Sequence, residues 1–235
     1  IYIIFLMNDI DKFVFYPLLY SAIVYWGLSG FWFLLDIYLS PKYRINGGEI
    51  INWNLYKKTA IRVSLLQSTT PFVLYLMIPL WKLRGIETSW NNFLSIVTLI
   101  KFLFCPILSN IIFYITHKLC HLKIFYSNVH KIHHEWVVPC ALAAAYTSIY
   151  EYIFCNLPTF LLPPLILNIN WYGANCWFIF ATVRIVNDHS GYTFFESSIH
   201  HTNHHKYKMY NYGSERLDNI LDLSLIHISE PTRRA

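Results

Sequence analysis

Ten of the eleven histidines in this 235-residue chain fall between His117 and His205. His117 and His121 form an H-x3-H pair, His130, His133 and His134 an H-x2-HH group, and His201, His204 and His205 a second such group directly after His200. His189 stands apart in the run Asn187-Asp-His-Ser-Gly-Tyr192. On a helix, positions i and i+4 share a face and i+3 lies beside them, so each spaced group can turn its imidazoles toward one centre. Neutral imidazole suits Fe, Zn, Cu or Ni, whereas Mg and Ca want oxygen ligands that are scarce nearby. More nitrogens are on offer than one ion accepts, which makes two metal ions the economical expectation. His200 is expected to be an ordinary satisfied histidine, and for His189 a simple pairing with Asp188 is the alternative to ligation.

Spacing also removes other chemistries. His134-Glu135 opens like a zincin motif, but the second histidine would stand at 138, where the chain has Val138. Asp188, His189 and Ser190 are sequence neighbours, which is no evidence for a triad assembled from distant segments. The chain has no G-x-G-x-x-G and no G-x4-G-K-[ST] sequence, so reducing equivalents for any redox reaction are expected from a partner protein.

The elements that must carry these groups are apolar. Hydrophobic residues make up 55% of the chain and charged residues 13%, against about 25% charged in a soluble domain, and mean hydropathy is +0.37. Aromatics at 18% exclude disorder, and five dispersed cysteines read as buried thiols. The net charge of +5 sits in short loops, which fits anionic lipid headgroups better than nucleic acid. Four stretches approach the ~20 residues a helix needs to cross a bilayer: 13–39, 59–81, 93–116, and 153–186, the last broken at Pro163-Pro164 and Asn168-Ile-Asn170 into a hairpin of two short helices. The expected fold is an all-α integral membrane protein with about three transmembrane helices, this hairpin, and a histidine-rich helical cap on the cytoplasmic side. With the 40–58 loop cytoplasmic, Lys and Arg at 42, 44, 57, 58, 118, 123, 131, 206, 208 and 216 lie on that side and only 12, 82 and 84 opposite, as the positive-inside bias requires. All histidine groups then meet at one membrane edge. The chain starts at Ile1, read as a fragment start, and 223–235 reads like translated sequencing adapter, so that tail and His227 are set aside as non-native.

The boxes, with His133-His-Glu-Trp136, the Asn187 to Tyr192 run, Asn211-Tyr-Gly213 and Leu217-Asp218, resemble the fatty acid hydroxylase/sterol desaturase superfamily over about half the chain, Asn110 to Asp218. Within it, His130 to Pro139, Ala141 to Tyr146, Glu151 and Asn156-Leu-Pro158 are most similar to the C-4 methylsterol monooxygenase and cholesterol 25-hydroxylase branch. The resemblance implies a transmembrane region over 1–109 and a catalytic domain over 110–222. It implies a non-haem di-iron monooxygenase of the endoplasmic reticulum membrane, active on the cytoplasmic side, that uses O2 to hydroxylate a C–H bond of a sterol or fatty-acyl lipid in lipid biosynthesis. Electrons would come from cytochrome b5 and an NAD(P)H reductase. Carried over by position, the iron ligands are His117, His121, His130, His133, His134, His189, His201, His204 and His205; Glu135, Glu151 and Asp188 are expected to orient imidazole N–H groups. The branch usually has histidines on both sides of the glutamate matched to Glu151, where this chain has Ser148 and Tyr152. A desaturase of the same superfamily, a His-rich membrane metal transporter and an inactive homologue are the alternatives.

Overall fold

The computed structural model describes residues 8–39, 41–45 and 52–221; the expected adapter tail, 223–235, lies outside them. The described residues fold into helices, with one isolated bridge between Arg44 and Tyr192 as the extended pairing. Helix α1 (Tyr16–Tyr38) continues a wider turn, Asp11–Phe15, whose first N–H is taken by Asn8 Oδ1 at 2.9 Å. Side-chain oxygens also start α2 (Trp53–Gln67), where Asn52 accepts from the Leu55 N–H at 3.0 Å, and α4 (Ile96–Cys120), where Ser95 accepts from Thr98 at 3.1 Å. Such caps satisfy N–H groups that a helix start leaves bare.

The second apolar stretch, expected as one passage over 59–81, is one candidate span, Trp53–Leu83, stepped into two helices, α2 and α3 (Thr70–Leu83). Pro71 brings no N–H to continue the ladder, and the Ser68 and Thr69 hydroxyls take the Leu65 and Leu66 carbonyls at 2.7 Å. The short helices α5 (Lys123–Phe125) and α6 (Ile149–Glu151) each lead into a widened turn, Tyr126–His130 and Tyr152–Asn156. The expected hairpin is present as α7 (Leu157–Ile166) and α8 (Trp171–Asp188), turned at Asn168 with φ 47° and restarted by Asn170, which caps the Tyr172 N–H at 2.9 Å. Helices α9 (Glu196–Tyr207) and α10 (Glu215–Ile220) follow.

Among the described residues, four helical segments are long and apolar enough to cross a membrane: Asp11–Tyr38, Trp53–Leu83, Ile96–Cys120 and Ile149–Ile166. Their outer faces are apolar, as lipid demands; on α4, Leu103, Phe104, Ile107, Ile111 and Ile115 are exposed. Helix α8 is the central post, packing along α1, while α4 packs along α7. Buried polar tips find backbone acceptors: Trp177 Nε1 donates to Phe160 O, Tyr25 Oη to Leu142 O, and Lys101 Nζ to Asn168 O, which answers the cost of a lysine in an apolar helix. At one end, Trp171 and Asn170 bond Lys12, Glu87 and Ser89. The histidines gather at the other.

Candidate metal centre

Each ring is placed by an element end. His117 occupies the last turn of α4 and His121 its C-cap; His130 closes a widened turn, Tyr126–His130; His133 and His134 sit in a tight turn, His133–Glu135; His189 is the C-cap of α8; His201, His204 and His205 share one face of α9. The structure brings all nine expected positions into two adjoining groups, one of His117, His121, His130, His134 and His204, the other of His133, His189, His201 and His205, with the facing atoms of each group within 4.8 Å of one another. In the first, Nε2 contacts run from His117 to His130 (3.0 Å), His130 to His134 (3.0 Å), His134 to His121 (3.3 Å) and His121 to His204 (3.1 Å). In the second they run from His133 to His189 (3.5 Å), His189 to His201 (2.8 Å) and His201 to His205 (3.1 Å).

The opposite ring nitrogens fix what these contacts are. Nδ1 of His117 meets the carbonyl of Tyr212 at 2.6 Å, His133 that of Tyr146 at 3.3 Å, His189 that of Ile185 at 2.8 Å, His204 that of Tyr210 at 2.7 Å and His205 that of Trp136 at 2.7 Å. A carbonyl only accepts, so Nδ1 donates and carries the proton, leaving Nε2 a bare lone pair. Lone pairs facing each other at about 3 Å repel unless a cation lies between them. With metal–nitrogen bonds of about 2.0–2.1 Å, neighbouring ligand nitrogens stand about 2.8–3.4 Å apart in octahedral or tetrahedral sites, and the observed separations lie in that range except His133 to His189, which is slightly longer at 3.5 Å. Backbone carbonyls holding Nδ1–H are the usual support of metal-binding imidazoles.

Burial keeps the rings uncharged and ready for a cation. It pushes the imidazoles of His130, His133, His134, His201, His204 and His205 well below their ordinary range, the neighbouring rings adding to the effect, and brings His189 down to about 4. His121 is the partly exposed member of the first group.

The residues around the rings divide differently from expectation. His200 stands outside both groups, with Nε2 3.1 Å from Asp218 Oδ2, as an ordinary paired histidine. Of the three acids expected to orient imidazoles, Glu151 faces one, its Oε1 2.9 Å from His130 Nδ1. Glu135 instead accepts from Lys58 and from the Tyr146 hydroxyl, both at 2.7 Å, because its turn aims it at the basic face of α2. Asp188 lies 3.8 Å from Arg184 on its own helix. Backbone carbonyls orient five of the nine rings. Ser148 and Tyr152 are engaged elsewhere: Ser148 Oγ caps the Glu151 N–H at 3.1 Å, and the Tyr152 hydroxyl pairs with Thr70 Oγ1 at 2.8 Å.

A clamp on His189 is new to the structure. Arg44 pairs with Asp36, the Tyr192 hydroxyl donates to Asp36 Oδ1 at 3.0 Å, and Trp32 Nε1 donates to Asn187 Oδ1 at 3.0 Å. Helix α1 and the segment after it thus hold both flanks of His189. A signal existed: Asp36 is a lone acid near the end of an apolar stretch, which calls for a partner.

The comparisons agree with this centre. The sequence model of the family described as fatty acid hydroxylase matches residues 102–222, which takes in every ring of both groups. The chain belongs to the fatty acid hydroxylase family. Among curated relatives, a fatty acid hydroxylase of Mycosarcoma maydis is 32% identical over 57% of this chain and 36% of its own length. The human fatty acid hydroxylase domain-containing protein 2 is 30% identical over 42% of this chain and 30% of its own. A methylsterol monooxygenase of Aspergillus fumigatus is 27% identical over 82% of this chain and 70% of its own. The first relatives are thus matched over well under half of their length. No solved structure matches the chain. Named relatives in the family include fatty acid hydroxylases and methylsterol monooxygenases.

Proposed function

We propose that the chain is a di-iron lipid monooxygenase, hydroxylating a C–H bond of a sterol or fatty-acyl lipid with O2 and electrons from a cytochrome b5-type donor. The observation that carries this reading is the pairing of two groups of neutral imidazoles, each Nε2 aimed inward, at the end of an apolar bundle. The nine histidines would be the ligands, and two iron ions bound there would supply the oxygen activation that attack on a C–H bond requires.

The chain's own contributions follow from its geometry. The carbonyls of Tyr146, Ile185, Tyr210, Tyr212 and Trp136 hold the Nδ1 protons and so fix ring orientation. Glu151 Oε1 lies 2.9 Å from His130 Nδ1. Crowded aromatic and aliphatic side chains keep water from the rings: His130, His204 and His205 are fully buried. The apolar helices keep a lipid substrate beside its oxidant. In this reading 1–109 is a membrane region supporting a catalytic domain at 110–222, the protein is a multi-pass resident of the endoplasmic reticulum, and the histidine end faces the cytoplasm, toward which the basic residues are biased.

The test is expression in sterol-auxotrophic cells, with mass spectrometry of oxygenated lipids and metal analysis of the purified chain. Two irons per chain and a new oxygenated lipid are expected. Zinc in their place without any lipid oxidation would refute the reading.

A further inference from the structure

Part-way along the bundle, α1, α3, α7 and α8 leave a cavity of about 120 Å³ between them. Its wall includes Pro17, Ala22, Leu74, Leu161 and Ile185 from these helices and Ala145 from the tight turn Ala141–Ala145. Pro17, Ala22, Leu74 and Leu161 lie several residues in from the ends of segments long enough to cross a membrane, which puts the cavity at hydrocarbon depth. Polar side chains on the wall are engaged with other partners. Thr70 pairs with Tyr152, Tyr25 with Leu142 O and Thr182 with Phe178 O, each at 2.8 Å, and Gln67 Oε1 accepts from Trp26 Nε1 at 2.9 Å.

Those pairings decide what the space can hold. A water molecule stays in a void only where about two to four polar partners meet it, and an apolar cavity of about 150 Å³ is known to stay dry and to take up benzene or xenon. This cavity is too small for a whole lipid molecule and too apolar for a charged or strongly hydrated ligand. Small apolar molecules remain. Its upper end meets the four-histidine group from behind: Ile185 gives its carbonyl to His189 Nδ1 at 2.8 Å, and Tyr146, next to Ala145, gives its own to His133 Nδ1 at 3.3 Å. Nε2 of these same two rings stand 3.5 Å apart, wider than the other Nε2 contacts described above. On the turn side the wall is Ala144 and Ala145, which add no more than methyl groups. The cavity thus adjoins the least crowded pair of rings through its least bulky wall.

We infer that this cavity is a binding site for dioxygen drawn from the bilayer, from which the gas passes between α8 and the alanine turn to the four-histidine group. Dioxygen is apolar, so hydrocarbon dissolves it better than water does. A site at this depth draws on the richer source and bypasses the aqueous face of the protein. Uptake of a small apolar gas stands on the cavity alone, whereas delivery to the rings rests on the oxygenase reading.

The test measures the two separately, on the purified full chain with its metals retained. Crystals pressurised with xenon, an inert apolar atom of the right size, should show it between Ala22, Leu74 and Ile185. Leu74→Ala, which enlarges the space, should raise the occupancy, and Ala22→Phe, which adds a ring at the wall, should abolish it. The reduced, iron-loaded chain is then mixed with dissolved O2 and its reoxidation timed. Xenon should slow the wild type several-fold at low O2 and have no effect at saturating O2, and Ala22→Phe should be slow in the same way without xenon. No xenon in the wild-type cavity overturns the site, whether or not either variant folds. Xenon bound there with reoxidation unchanged overturns the delivery route. Xenon bound with no reoxidation at any O2 pressure would leave the gas site standing and sink the oxygenase reading instead.

Discussion

Oε1 of Glu151 stands 2.9 Å from Nδ1 of His130, with both side chains buried. Five other rings, His117, His133, His189, His204 and His205, turn Nδ1 to a peptide carbonyl instead. Glu151 is held in turn by Ser148, which caps its N–H. The contact sits behind a ring that points Nε2 at His117 and His134. Glu151→Gln keeps the size and replaces the carboxyl by an amide, so if the carboxyl supports the His130 ring as a metal ligand, metal affinity in the five-histidine group should fall about 10- to 100-fold. Chelator competition on the purified variant measures this, and unchanged affinity would show that the carboxylate plays no part.

His133 and His204 belong to different groups. Alanine at either should remove one metal equivalent while the other group keeps its own, and turnover should be lost in both. His200→Ala is the internal control. That ring pairs with Asp218 outside both groups, so metal content should be unchanged even though it adjoins His201. Elemental analysis of the three variants separates the outcomes, and retention of both equivalents in His133→Ala and His204→Ala would refute direct ligation.

How much of this was legible in the chain depends on the range of the interaction. His117 with His121, and His201 with His205, are one helical turn apart, so spacing alone announces a shared face. That His133 leaves its neighbour His134 and joins His189 is a long-range fact, set by the tight turn at 133–135 and by where α8 ends. The break between α2 and α3 was hidden because hydropathy runs through it; Pro71 and the Ser68 and Thr69 hydroxyls, which compete for backbone carbonyls, mark it. Glu135 was misplaced for a related reason. Sequence adjacency to His134 is no guide to direction in an irregular turn, and Lys58, far away in the chain, decides where the carboxylate goes.

Arg44 and Asp36 form an ion pair with side chains only 10% and 1% exposed. The guanidinium also covers the Tyr192 ring at 5.4 Å, and the backbone joins Ile45 N–H to Gly191 O at 2.9 Å. Gly191 is obligatory there, with φ 74° and Pro139 O only 2.3 Å from where a Cβ would be. Arg44→Met would strand Asp36 as a buried unpaired charge, at a cost of roughly 3–5 kcal/mol. The melting temperature should fall, and metal should be lost preferentially from the four-histidine group because His189 loses a flank. Adding Asp36→Asn to the same chain should recover most of the stability. A double variant no better than the single one would show that the stranded charge is not the cause.

Stability without metal should depend on pH with a definite sign. Burial lowers the His189 pKa to about 4 from the usual 6.5. The unfolded chain therefore takes up a proton first as pH falls. The contribution of a neutral buried ring is complete above about pH 6.5 and is lost progressively toward pH 4. At pH 5 the loss from His189 alone is roughly 2 kcal/mol, and the other depressed rings act in the same direction. The metal-stripped chain should melt at similar temperatures at pH 7 and 8 and markedly lower at pH 5. Equal melting at pH 5 and 7.5 would mean that these rings are not buried neutral.

The sidedness of the centre follows from where the basic residues fall relative to the rings. Lys57, Lys58, Lys118, Lys123, Lys131, Lys206 and Lys208 are exposed around the histidine end, while Lys82 and Arg84 are exposed at the other. Moving the larger set of cations across a membrane is the less favourable orientation, so the histidine end should face the cytoplasm. A reporter joined after Leu221, which is 42% exposed, should read cytoplasmic. One inserted at the exposed turn after Gly85 should read lumenal. Opposite readings at both places would invert the molecule. The same side at both would mean that the helices between them do not return the chain across the bilayer, and the two ends of the bundle could not then lie on different faces of the membrane.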